Sequence, residues 1–210
     1  QLEPVLQTAI QNANKELKTS MAGVDGTMAL ELVSLDRGVF SSTAHYRLKA
    51  QGAVFGEDNP NPELLFVDHI EHGPLPVSRL VTLKWLPVMA TSHYELEKNP
   101  TTEKWFAAAK DVSPLKGVAN IGYSRSVNGN VELLPLEFKD DKSSVSFSGA
   151  NLNFDSSAEG KKVKADGYMN SLKVAVVDAN GSPFEAELAG LTVASNLEKS
   201  TFGFYTGQNT

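Results

Sequence analysis

From Gly117 to Asn196, apolar and polar side chains alternate in short runs separated by turn-forming residues. Turn signals stand at Val127-Asn128-Gly129-Asn130, Lys139-Asp140-Asp141-Lys142, Ala158-Glu159-Gly160-Lys161 and Asp178-Ala179-Asn180-Gly181. Asn and Gly tolerate the positive φ that hairpin turns need, so alternation punctuated this way predicts an antiparallel meander. Within each strand the alternation changes phase once. Val145 and Phe147 share one parity, and Leu152 and Phe154 the other, with Gly149 between them. Val163, Ala165 and Met169 are odd, whereas Leu172, Val174 and Val176 are even. Phe184, Ala186 and Leu188 give way to Leu191 and Val193 across Gly190, and Val131 and Leu133 yield to Leu134, Leu136 and Phe138. Folding the hairpins about their turns sets Leu133 near Gly149, Gly149 near Tyr168, and Asn170 near Gly190. A β-bulge slips the phase by one residue, and Gly inside a strand often marks one. An aligned set of slips predicts a crease that bends the whole sheet. The other reading is a sheet buried on both faces, in which parity carries no information.

The first half mixes periods. Leu2, Leu6, Ala9, Ile10, Ala13 and Leu17 fall on one helical stripe, predicting an amphipathic helix from Leu2 to Lys18, with Pro4 tolerated in its first turn. Thr27 to Leu48 reads as a hairpin about Asp36-Arg37-Gly38, and Gly52 to Pro62 as a Pro-broken loop. Leu64 to His72 is a strand closed by Gly73-Pro74-Leu75-Pro76. A short helix follows, opened by Pro76, carrying Val77, Leu80, Val81 and Trp85, and stopped before Pro87. Val88 to Leu96 alternates as a strand, and Thr101 or Thr102 caps a helix through Ala109. Trp85 and Trp105 are expected in a helix–sheet core. The prediction is one α+β domain over 1–210, mostly β: a curved antiparallel meander with an N-terminal helix and one or two short helices packed on it. Its parts are a helix or stalk (1–20), a hairpin, strands and short helices (27–112) and the meander (117–196).

Composition narrows the function classes. A hydrophobic fraction of 41 % and a charged fraction of 21 % suit a soluble chain with a real core. The net charge is −6 with Lys and Arg scattered, which speaks against a nucleic-acid partner. There is no Cys, hence no disulfide or thiolate chemistry. No apolar run reaches bilayer-spanning length, and no signal peptide is evident. The first residue, Gln1, leads to the expectation that an upstream segment has been removed.

The most enzyme-like stretch is Asp68-His69-Ile70-Glu71-His72. On a helix, Asp68 and His72 would share a face and could chelate. The flanking Leu64-Leu65-Phe66-Val67 and Gly-Pro favour a strand, which puts Asp68 and His72 roughly 13 Å apart and His69 and Glu71 roughly 6.6 Å apart on the other face. That is wide for one small ion, and a His that packs or hydrogen-bonds at the strand end is the plainer reading. No Ser lies in a nucleophile elbow, no Gly-rich phosphate loop is present, and His45 and His93 stand alone. No catalytic, cofactor-binding or metal residue is assigned.

At Arg37-Gly38-Val39-Phe40-Ser41-Ser42 and Val67 to Pro76 the chain resembles the YdgA-like family of Gram-negative envelope proteins. The likeness continues through Leu86-Pro87-Val88-Met89-Ala90, Ile121-Gly122-Tyr123-Ser124, Leu134-Pro135-Leu136 and Val145-Ser146-Phe147-Ser148-Gly149. The resemblance implies a periplasmic module anchored to the inner membrane by a removed N-terminal helix, and a chain truncated at both ends. It carries over no catalytic or cofactor residue. The expected function is non-catalytic binding of an envelope protein or an amphipathic, lipid-like ligand on a curved sheet. The alternatives are a surface or virulence-associated interaction protein, and a metal-dependent or acid/base enzyme using Asp68 to His72. The strand Phe184 to Val193 is expected as a sheet edge, covered at most by the tail around Phe202 to Tyr205, with a homodimer as one consequence.

Overall fold

A computed structural model describes residues 2–55, 61–73, 76–81, 87–139, 143–177, 183–200 and 205–210. The alternating runs form one open antiparallel sheet. Its strands are β1 (Thr27–Arg37), β2 (Ser41–Gln51), β3 (Glu63–His72), β4 (Ala90–Glu97), β5 (Leu115–Ile121), β6 (Val127–Leu133), β7 (Leu136–Lys139), β8 (Ser143–Phe147), β9 (Ala150–Ser156), β10 (Lys162–Val177), β11 (Pro183–Lys199) and β12 (Tyr205–Asn209). The helices are α1 (Leu2–Ser20), α2 (Val77–Val81) and α3 (Glu103–Ala108). Neighbouring strands follow chain order from β1 to β6 and then run β9, β10, β11, β12. The β7–β8 hairpin stands off this path and joins it through β8, which pairs with the second half of β10.

Local order explains this layout. Pro135 has no N–H to give a ladder, so the single strand expected through Leu133 to Phe138 divides into β6 and β7. The division falls on the line where every phase change occurs. Leu133 pairs with Ala150 and Leu136 with Phe147, which sets Leu134 opposite Gly149. Ala150 pairs with Met169 and Phe147 with Leu172, which sets Gly149 opposite Asn170 rather than Tyr168. Met169 pairs with Leu191 and Ser171 with Ala189, placing Asn170 opposite Gly190. Gly149 (φ 84°) and Gly190 (φ 65°) are both left-handed. The aligned interruption is therefore present, but it contains no register-shifting bulge. All four strands change phase together, so the pairing register is the same on both sides of the crease. Ser148 carries the ladder across it: its N–H donates to the Ser171 carbonyl at 2.9 Å, and its Oγ accepts from the Ser171 N–H at 2.9 Å. The register shift of this sheet lies elsewhere, between Leu32 and Ser34 of β1.

Several expectations change. Val127 to Asn130 lies inside β6, and the turn sits earlier, where the Gly122 N–H donates to Ser126 O and Arg125 takes φ 62°. Gly129 is held in the strand by pairing on both sides, with Ala119 of β5 and Phe154 of β9. The turn at Ala158 to Gly160 is present as a single 3-10 turn. Thr102 is at the N-cap of α3 but makes no capping bond; its buried hydroxyl donates to Glu97 O and accepts from Asn99 N–H instead. Trp105 is half-exposed rather than core. The helix opened by Pro76 runs from Val77 to Val81, and Trp85 lies outside the described residues. So do 56–60 of the Pro-broken loop, the turn residues 74–75, 140–142 and 178–181, and the tail residues 202–204.

The core sits under α1. Ala44, Ile70 and Ala90 are buried on β2, β3 and β4, with Leu6 of α1, Leu32, Leu35, Tyr46 and Ile121 packed against them. Ile10 of the same helical stripe is also buried. At the other end of α1, the Asn14 side chain accepts from Leu30 N–H at 2.7 Å and donates to Leu30 O at 2.9 Å. One amide thus stands in for a neighbouring strand on the outer edge of β1.

Candidate functional site

Following the registers across the sheet gives two chemically distinct faces. One row runs Tyr94, Gly117, Val131, Leu152, Gly167, Val193 from β4 to β11. The next runs Leu115, Leu133, Ala150, Met169, Leu191. Because the phase reverses at the crease, Leu136, Phe147, Leu172 and Leu188 continue the apolar side beyond it. A sheet without the reversal would turn these four toward the polar side.

These rows enclose an open hollow of about 320 Å³, floored by Gly167 and Ala150 and walled by Val131, Leu133, Phe147, Leu152, Met169, Leu191 and Val193. Small residues make it a trough: the Leu152 side chain leans over Gly167, where a Cβ would meet it at 2.9 Å. Leu152, Leu188, Leu191 and Val193 are each about two-fifths exposed or more. The hydrophobic face is covered by α1 at one end of the sheet and, among the described residues, left open here. Beyond the crease, α3 packs against β7, and Trp105 and Ala108 border a second hollow with Leu136, Phe138 and Val145. Sequence parity marks the apolar face of each strand. It could not show that this portion is uncovered, because cover depends on where α1 and α3 dock.

The opposite face is polar. Two hollows of about 300 and 410 Å³ share His93, Val118 and Asn130. Much of their lining is already mutually bonded: Asn120 Oδ1 accepts from Arg79 Nη1 at 3.0 Å and Thr91 Oγ1 at 3.1 Å, while its Nδ2 donates to Asn128 at 3.3 Å. His93 is cross-strand from His69, and its Nε2 is buried without a hydrogen bond among the described residues.

The Asp68 to His72 cluster is split between these faces. Asp68 is 7 % exposed on the apolar side, accepting from Ser92 Oγ at 2.6 Å, with Tyr46, Phe66 and Tyr94 around a small hollow. Burial holds its carboxyl above the ordinary carboxylate range, opposed by the Ser92 bond and the His69 and His93 charges. Burial first, and Asp68 second, raises both Tyr46 and Tyr94. His72 Nε2 is hydrogen-bonded to Ser42 at 2.8 Å, the strand-end role expected of it. On the polar side His69 meets Thr43 at 3.3 Å, and Glu71 accepts from Ser78 Oγ at 2.6 Å. His45 pairs with Glu97 at 3.0 Å. Among the described residues no three His, Asp or Glu side chains converge as a metal site would require.

The whole chain, residues 1–210, matches the model of DUF945, described as a bacterial protein of unknown function. It is 25 % identical to "Protein YdgA" of Escherichia coli K12 over 210 residues, covering 98 % of this chain and 41 % of that protein. It is 26 % identical to "Uncharacterized protein YihF" of the same organism over 139 residues, 66 % of this chain and 29 % of that one. A Haemophilus influenzae uncharacterized protein is 27 % identical over 125 residues, 59 % of this chain and 33 % of that one. The chain thus matches less than half the length of these curated relatives. No solved structure matches it.

Proposed function

The chain belongs to the DUF945 family of bacterial proteins of unknown function, and from that premise we propose that it is a non-catalytic module of an inner-membrane-anchored envelope protein, facing the periplasm and holding an amphipathic, lipid-like ligand on the apolar side of its creased sheet. The observation that carries this reading is the trough over Gly167 and Ala150, walled almost wholly by hydrocarbon and open to solvent. Its size is at the lower end of small-ligand sites. An exposed patch of Leu and Val on a sheet face marks an interaction surface rather than idle surface. Placement in the periplasm, beside the inner membrane, is supported by the YdgA-like motifs.

A partner protein on the same trough is the second reading, favoured by the extent of the apolar rows, which run past the hollow to Leu188 on the far side of the crease. Native mass spectrometry of the protein purified from its own envelope separates the two. A bound mass of lipid size, released by detergent, is the expected result. A stoichiometric protein in its place selects the second reading, and a bare chain under conditions that retain lipid on other envelope proteins contradicts both.

A further inference from the structure

We propose that the outer edge of β11, from Pro183 to Val193, receives a β-strand from a partner protein, apolar on one face and carrying Lys or Arg on the other. The inner side of β11 is paired with β10 from Pro183 to Glu198. On its outer side β12 covers only Ser195 to Lys199, after which Ala194 and Thr210 exchange two N–H···O bonds at 2.8 and 2.9 Å. Among the described residues nothing pairs with the edge before Ala194. A row of free N–H and C=O groups at strand spacing is matched by another extended polypeptide.

The two ends of the sheet are treated differently. At β1 the Asn14 amide occupies both backbone groups of Leu30, and the register shift beside Val33 breaks the edge. β11 has neither device over this stretch. The chemistry of the incoming strand follows from the faces it would join. On one face Phe184, Leu188, Leu191 and Val193 are all exposed. On the other, this sheet sets cation against carboxylate directly across neighbouring strands: Lys116 with Glu132 at 3.5 Å, Lys162 with Glu198 at 3.7 Å, and Lys173 with Glu187 at 3.1 Å. Glu185 lies opposite Ala175 and has no ion pair among the described residues. A second copy of β11 would bring Glu185 and Glu187 to an edge that already holds them, so opposite charge selects a different, basic strand. Its alternation must also reverse opposite Gly190, as that of every strand crossing the crease does.

This proposal concerns the edge and stands apart from the ligand reading. Its test is a synthetic peptide alternating Val with Lys and reversing phase at its middle, against a peptide with Glu for each Lys. Amide hydrogen exchange along residues 184–193 and peptide affinity are measured for the chain and for Glu185→Lys, an exposed position with no ion-pair partner among the described residues. The Lys peptide is expected to protect these amides and to bind at least about fivefold tighter than the Glu peptide, with Glu185→Lys erasing that preference. Absence of protection, or equal affinity for the two peptides, overturns it. Protection that grows with the chain's own concentration assigns the edge to a second copy, and protection already complete in the full-length protein assigns it to its own polypeptide. Either result also overturns it.

Discussion

The phenol end of Tyr94 on β4 lies where a Cβ on Gly117 of β5 would be, and its hydroxyl donates to Asn130 O of β6 at 3.0 Å. One side chain thus spans three strands, and it can do so only because Gly117 has no Cβ. A methyl group there would collide with both the Tyr94 hydroxyl end and the Asn130 carbonyl. Gly117→Ala is therefore expected to destabilise by about 1–3 kcal/mol, the usual cost of overpacking. Tyr94→Phe, which keeps the ring and loses one bond, should cost about 1 kcal/mol. Urea unfolding of both variants checks the order; equal stability of Gly117→Ala and the parent chain would mean that the ring moves away freely.

Asp68 gives a pH dependence of defined sign. Its carboxyl is raised in the folded state, mainly by burial, so the folded protein keeps that proton to higher pH than the unfolded chain. The stability it contributes is complete below the unfolded pKa and is lost as pH rises through the folded value. Asp68→Asn retains an acceptor for Ser92 and removes the charge. At pH 7 it should raise Tm, because the ionised form that burial disfavours is gone. By pH 4 the gain should shrink toward zero. A variant less stable than the parent at pH 7 would show that the ionised carboxylate is a favourable partner in the fold.

The crease separates two costs that are normally confounded. Gly149 and Gly190 are both left-handed, but a Cβ on Gly149 meets Leu133 O at 2.7 Å, whereas one on Gly190 meets nothing within 4 Å. Gly190→Ala should cost about 1 kcal/mol, from conformation alone. Gly149→Ala should cost roughly 1–3 kcal/mol more, from crowding. Thermal unfolding of the pair measures the difference, and equal losses would place the strain in φ only.

Asn14→Ala removes both bonds to the backbone of Leu30 and reopens the β1 edge. A loss of about 1–3 kcal/mol is expected, together with faster exchange of the Leu30 amide. Unchanged exchange would mean that water or another group replaces the side chain at no cost.

Much of this was legible in the sequence because it is carried by period. The phase reversals near Leu133, Gly149, Tyr168 to Asn170 and Gly190 locate the crease to within two residues, since a two-residue repeat cannot change face without leaving a trace in parity. The edge from Phe184 to Val193 was legible from chain order, as the last long alternating run before the tail. What escaped depends on partners distant in the chain. Asn128-Gly129 has turn chemistry, yet it is strand because β5 and β9 pair with it on both sides. Asp68 reads as a metal or acid/base candidate until Ser92, 24 residues on, supplies its partner. Asn14 looks like an ordinary polar helix position, and only the docking of α1 reveals that it closes an edge. The trough itself was half legible: parity gives its apolar side chains, and tertiary packing decides that no helix of the described residues lies over them.

The central claim is that this open apolar face holds an amphipathic ligand, and a direct titration tests it. A dansyl-labelled undecanoic acid, whose emission rises on leaving water, is titrated into the parent chain, into Leu152→Asp on the wall of the trough, and into Asn130→Asp on the opposite face. Leu152 is partly exposed, so its replacement leaves the fold in place, which circular dichroism verifies. Saturable binding is expected for the parent and for Asn130→Asp, with affinity at least about tenfold weaker for Leu152→Asp, the loss of about 1.4 kcal/mol from charge set against hydrocarbon. Non-saturable emission with the parent, or the same affinity for all three proteins, would contradict it.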